Sequence, residues 1–205
     1  MLSRLSERDA VAWHELAGRV ASAVEPRLGA QVVASRTRSA GRSWRLEGPA
    51  EARGRLRRAL RALAGRPVLL AADVRDFYGS VSPPVLARVL LAAGVEAEEA
   101  RLASGAVEAW GDTGRRGLPV GPPGSAVLAN LVLHAVDGGL HGLPFVRWVD
   151  DYLIGLATEG QAEEVLQRID EGLERVGLAR HEGKTGLLDG RMAPRWVGAS
   201  LEERR

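Results

Sequence analysis

Residues 67–74 (PVLLAADV) constrain this chain more than any other stretch. The run is apolar at both alternating sets of positions, opens on a proline and closes into a charged turn. That is the pattern of a strand covered on both faces rather than one. Asp73 interrupts it near its end. A carboxylate in such a place gains nothing from packing and costs desolvation, so it marks a site.

The elements around this strand follow from periodicity and punctuation. Ser6, with Asp9 three residues on, is a variant capping box that opens a helix over 7–24, and Pro26 ends it. A short β-branched strand is expected over 31–35 and a hairpin or loop over 36–47. Pro49 then starts a helix striped by Leu56, Leu60 and Leu63, which Gly65 stops. Helices are expected over 83–93, 96–110 and 126–136. Two short strands over 145–156 meet at a two-residue turn around Asp150 and Asp151, and an amphipathic helix covers 161–176. Residues 187–188 and 196–201 supply closing strands. The order strand, helices, strand, strand, helix, strand is the split β-α-β arrangement of an α+β fold, a ferredoxin-like antiparallel sheet with helices on one face. Two regions result: residues 1–66, a helix and a basic region, and residues 67–205, a mixed α/β body.

Composition narrows the chemistry. The 205 residues contain no cysteine, so disulfides and thiolate metal sites are excluded and any metal must be held by oxygen or imidazole. No apolar run approaches the ~20 residues of a membrane helix. Arg4, Glu7 and Asp9 follow Met1 in place of an apolar signal core, so a cytoplasmic location with no membrane partner is expected. The net charge of +2 conceals an asymmetry: residues 31–66 carry +8 and residues 67–205 carry −6. A basic face of that kind attracts a polyanion, although a solvated arginine-rich helix has the same composition. Of the 28 basic residues only Lys184 is a lysine.

Asp73, Asp150 and Asp151 converge if the split β-α-β order is right, because the strands bearing them are then neighbours. An all-oxygen set of this kind suits Mg²⁺ or Mn²⁺, and two such ions serve phosphoryl transfer. Taken alone, the Asp150-Asp151 pair reads equally well as turn chemistry.

Five segments, in order over roughly 67–201, resemble the reverse transcriptases, particularly the bacterial retron, group II intron and phage-defence types. They are Asp73-Val74-Arg75-Asp76-Phe77-Tyr78, the loop from Gly117 through Gly121 to Ser125 leading to Asn130, Trp148-Val149-Asp150-Asp151, Gly177-Leu178 with Lys184-Thr185, and Trp196-Val197-Gly198. The resemblance implies a polymerase palm preceded by short basic fingers, acting as an RNA-directed DNA polymerase on an RNA template and a DNA primer. It implies that Asp73, Asp150, Asp151 and the Val74 carbonyl hold two Mg²⁺ ions. It also places Tyr78 beneath the sugar of the incoming dNTP, the amides from Arg75 through Asp76 and Phe77 to Tyr78 at the triphosphate, Gly121 at the nascent base pair, and Trp196 and Gly198 at the primer end. Arg36 and Arg38 are implied as triphosphate cations, and Arg42, Arg45, Arg53 and Arg57 as contacts to nucleic-acid phosphates. Lys184 is the candidate general acid, since a lysine near phosphates can release a proton and an arginine hardly can.

Trp148 stands where a tyrosine or phenylalanine is usual in the family, and Val120 where glutamine is common. After the primer-grip-like segment only residues 201–205 remain. A thumb is therefore expected to be absent, with a protein or RNA partner or a homodimer in its place. Template-independent or self-priming nucleotide addition stays open as an alternative activity, as does a non-catalytic nucleic-acid-binding role.

Overall fold

The computed structural model describes residues 6–40, 43–111, 114 and 116–195. Helix α1 (Glu7–Val24) starts where Ser6 Oγ accepts the Asp9 N–H at 3.2 Å, the cap foreseen from the sequence. It buries Trp13, Leu16, Ala17, Val20 and Val24 along one face. Strands β1 (Thr37–Ala40) and β2 (Ser43–Leu46) form an antiparallel hairpin. Helix α2 (Pro49–Leu60) begins with proline at its first position, where the missing N–H costs nothing.

Strand β3 (Val68–Asp73) is the strand read from residues 67–74. It leads into a one-turn helix α3 (Phe77–Ser80), then α4 (Pro83–Ala92), α5 (Ala97–Gly111) and α6 (Pro123–Gly139). A hairpin of β4 (Phe145–Trp148) and β5 (Asp151–Leu156), helix α7 (Ala162–Arg175) and β6 (Gly186–Asp189) complete the described chain. The sheet runs β4-β5-β3-β6 with every pairing antiparallel, the split β-α-β order. Strand β3 lies between β5 and β6, and its sequence lacks a polar face because both faces of the sheet are covered over it.

The two sheet faces are covered differently. Leu70, Ala72, Tyr152, Ile154 and Leu156 join the large core made with α1, α4, α5, α6 and α7. Leu69, Val146 and Leu153 point the other way and pack with Val33, Leu56 and Leu63, so α2 covers part of the second face. The main helical layer is thus on one face, and the arginine-rich helix lends its leucine stripe to the other. Among the described residues no helix is long and apolar enough to cross a membrane.

Residues 31–35 depart from the expected strand. They touch β4 through two hydrogen bonds only, from Arg147 N–H to the Gln31 carbonyl at 2.9 Å and from Val33 N–H to the Arg147 carbonyl at 3.0 Å. Ser35 then turns into the left-handed region at φ 57°, which ends any ladder before β1 begins. The expected closing strand at 196–201 lies outside the described residues.

Candidate active site

Asp73 ends β3 and is 6% exposed. Its cross-strand partner in β5 is Asp151, which also pairs with Trp148 of β4. Opposed residues of this kind hold their Cβ atoms roughly 4.5–5.5 Å apart, so antiparallel pairing alone brings the two carboxylates together. Asp150 is adjacent, in the turn. The two-residue turn is therefore Val149-Asp150, one position earlier than the Asp150-Asp151 turn read from the sequence, and Asp151 belongs to the strand. Val149 adopts φ 57°, where a β-branched side chain is strained and where such turns ordinarily use glycine.

The chain after β3 is tied to the segment before β6. Arg75 N–H donates to the Ala179 carbonyl at 2.9 Å and His181 N–H to the Asp73 carbonyl at 2.7 Å. These two bonds frame the Val74–Arg180 bridge, so the Val74 backbone groups face the opposite edge, toward β5. They also commit the Arg75 amide, leaving Asp76 to Tyr78 as the amides opening α3. On the far side of the tie, a short 3₁₀ turn over Glu182–Lys184 puts Lys184 Nζ 3.5 Å from Asp73 Oδ2. The Lys184 side chain remains 60% exposed.

The donors at this place, the carboxylates of Asp73, Asp150 and Asp151 with the Val74 carbonyl, are all oxygen, which fits Mg²⁺ or Mn²⁺ in kind. Among the described residues no three or more acidic or histidine side chains are drawn into a metal-holding cluster.

Other predicted residues separate into those near this place and those engaged elsewhere. Asp76 caps α3 in a left-handed conformation, φ 41°, and its carboxylate lies over Gly79. The Phe77 ring is 2% exposed in the core, so only its backbone faces outward. Tyr78 is half-buried with its ring edge-on to Phe77. The glycine-proline loop is docked here: Leu118 N–H donates to the Tyr78 carbonyl at 2.8 Å, and a Cβ on Gly117 would stand 1.9 Å from that oxygen. Gly121 is exposed at φ 116°. Gly124 and Ser125 pack instead against α1, where Trp13 Nε1 donates to Ser125 Oγ at 3.1 Å, so their small size serves helix packing.

Arg36 is corrected. Its guanidinium is buried and donates to Glu25 at 2.6 Å and to the Gly29, Val32 and Leu28 carbonyls. Four internal hydrogen bonds leave it unable to serve a triphosphate; it anchors the segment after α1. Arg38 and Arg45 are cross-strand partners in the β1–β2 hairpin, mostly exposed and paired with Glu47 and Glu51. Arg53 and Arg57 are exposed on α2. Arg42, Trp196 and Gly198 lie outside the described residues.

Three side chains that sequence reasoning passed over, Arg147, Asp137 and Tyr152, form with Asn130 a buried network behind the turn. Arg147, fully buried, forms a bidentate pair with Asp137 at 2.8 and 2.7 Å. Burial opposes its charge most strongly of any single cause, and Asp137, Tyr152 and Asp150 together outweigh it to hold its pKa above the ordinary value. Tyr152 donates to the same carboxylate at 3.1 Å, and burial, reinforced by Asp137, pushes its hydroxyl well above the usual pKa. Asn130 accepts from Arg147 at 2.9 Å. The available signal was a charge set in an apolar strand (FVRW) and another in an apolar helix.

The family described as "Reverse transcriptase (RNA-dependent DNA polymerase)" matches residues 23–200. The chain belongs to the reverse transcriptase family. Two solved structures share the fold. The telomerase from Candida albicans in complex with a TWJ fragment of telomeric RNA aligns with TM-score 0.55 and 13% identity over 87% of this chain and 34% of its own. The Candida tropicalis telomerase in the corresponding complex gives TM-score 0.50 and 12% identity, over 71% of this chain and 30% of its own. This reverse-transcriptase chain thus spans about a third of the length of those proteins. No curated protein matches it by sequence.

Proposed function

We propose that the chain is an RNA-directed DNA polymerase that adds dNTPs to a primer 3′ end. The observation that carries this reading is the register of Asp73 against Asp151, with Asp150 in the adjoining turn and Lys184 3.5 Å from Asp73. Asp73, Asp150, Asp151 and the Val74 carbonyl are the residues to hold two divalent ions, Mg²⁺ or Mn²⁺. Held by these residues, such ions would supply activation of the attacking hydroxyl and neutralisation of the leaving oxygen.

The remaining roles belong to the chain itself. The Tyr78 ring, braced by Phe77, supports the sugar face of the nucleotide and leaves no room for a 2′-hydroxyl. The amides of Asp76 to Tyr78 face the phosphates. Lys184, on an exposed side chain 3.5 Å from Asp73, can swing to deliver a proton to pyrophosphate. Arg38, Arg45, Arg53 and Arg57 present positive charge to the phosphates of an RNA template and its DNA product. Arg42, Trp196 and Gly198 keep the roles read for them in the sequence.

The test is incorporation of a labelled dNTP with Mg²⁺ or Mn²⁺ on primed RNA, on primed DNA and without template. Incorporation is expected on RNA, to be abolished by Asp150→Ala and lowered about 10²-fold by Lys184→Arg. Incorporation indifferent to Asp150→Ala sinks the site assignment. Activity without template transfers the reading to terminal addition, and inactivity on all three favours a binding role.

A further inference from the structure

Three non-glycine residues among those described have positive φ: Ser35, Asp76 and Val149. Two of them are held by one buried polar network. Arg147 Nη1 donates to the Val149 carbonyl at 2.9 Å and to Asn130 Oδ1 at 2.9 Å. Asn130 Nδ2 donates in turn to the Ser35 carbonyl at 3.0 Å and to that of Ala34 at 3.2 Å. Asp137 fixes the guanidinium plane through the bidentate pair and takes the Tyr152 hydroxyl. Arg147, Asn130 and Asp137 are 0%, 1% and 6% exposed.

A strained backbone persists only where its surroundings over-determine it. Val149 precedes Asp150, and its turn sets where Asp150 and Asp151 emerge relative to Asp73. Ser35 precedes the β1–β2 hairpin that carries Arg38 and Arg45. The geometry points to Asp137, Arg147 and Asn130 as a positioning relay: Arg147 holds the Val149 turn and so aims the two carboxylates, and Asn130 ties that turn to the base of the basic hairpin. The catalytic half of this inference rests on the polymerase reading; the mechanical half does not.

The test uses the whole chain in three altered forms, each checked for folding by thermal unfolding. Arg147→Met with Asp137→Asn removes both charges together, so that no lone charge stays buried. The same pair with Val149→Gly supplies a residue that takes positive φ without strain. Asn130→Asp keeps an acceptor for Arg147 but turns an oxygen toward Ala34 and Ser35. Hydrogen–deuterium exchange is followed in peptides spanning 148–152 and 33–37, without metal or nucleotide, beside steady-state dNTP incorporation.

In the double variant, exchange in both peptides is expected to rise about tenfold. Its kcat should fall about 10²-fold with KM for the dNTP changed less than about threefold, the mark of misplaced groups rather than lost binding. Adding Val149→Gly should bring kcat back to within about fivefold while 33–37 stays loosened. Asn130→Asp should loosen 33–37. Folded variants with wild-type exchange in both peptides overturn the relay, as does a kcat loss that Val149→Gly leaves unchanged. If the wild type incorporates no dNTP, the polymerase reading fails and the exchange measurements alone decide the relay. If the double variant does not fold, Asn130→Asp decides by whether 33–37 loosens.

Discussion

Under the proposed polymerase reading, Tyr78 is the residue whose single side chain would set substrate choice. Its ring is held edge-on by Phe77, with ring centres 5.2 Å apart, and its carbonyl is held by Leu118, so neither ring nor backbone can yield readily to a bulkier sugar. Replacing Tyr78 by valine should lower the preference for dNTP over rNTP by about 10- to 100-fold, the range a single steric contact commands. The check is kcat/KM for each nucleotide, and an unchanged ratio means that the ring is no gate. A second residue-scale expectation concerns the end of β6. Arg191, through side-chain and backbone hydrogen bonds, lowers the Asp189 carboxyl to about 2 from its ordinary 3.8. A depressed carboxyl contributes stability above its ordinary value and loses it as pH falls through about 2. In Arg191→Ala the side-chain bonds go and the backbone N–H stays, so the Asp189 carboxyl, read by NMR, should rise from about 2 but remain below 3.8; an unchanged value would mean that the Arg191 side chain does not set the shift.

At the scale of elements, caps and stops made most of the helices legible. Ser6, Pro49, Pro83 and the Gly94 turn each carry local chemistry that works wherever the segment sits in the fold. Strand β3 was legible because burial on both faces removes alternation. Residues 31–35 were misread as a full strand because Val32 is buried in the main core and Val33 against α2 and the sheet, and β-branched side chains report burial as readily as pairing. The glycine-proline loop was read as an element apposed to the nascent base pair, yet half of it packs on α1. Its position depends on Gly117, at φ 67° with the Tyr78 carbonyl where a Cβ would be. Gly117→Ala should therefore cost at least about 1 kcal/mol and displace Leu118 from Tyr78. Chemical denaturation gives the first, and a loss of protection at the Leu118 amide gives the second; a variant as stable as wild type contradicts the close approach.

At the scale of the whole molecule, the buried Asp137–Arg147 pair joins α6 to the sheet directly behind the candidate site. Removing one partner leaves a lone buried charge, so Arg147→Ala should destabilise by about 3–5 kcal/mol. For a chain of this size that corresponds to a fall in Tm of about 6–20 °C. A smaller fall would mean that water reaches Asp137. Charge is organised globally as well: the +8 of residues 31–66 is real in sequence, but Glu47, 3% exposed at its side chain, accepts from both Arg38 and Arg55, and Arg36 is interior. The basic face offered to nucleic acid is smaller than the composition promised.

The sequence by itself determined the fold class and the element order, and it put forward Asp73, Asp150, Asp151 and Lys184 as a candidate group. Periodicity, caps and motif chemistry are local, and a split β-α-β order leaves few ways to arrange four strands. Only the tertiary structure decided that Val149 rather than Asp151 occupies the turn, that Arg36 is an interior anchor, and that Arg147, Asp137 and Asn130 support the site from behind. These are matters of which side chain a buried donor meets across 10 to 96 residues of chain, and no local signal carries a partner's address.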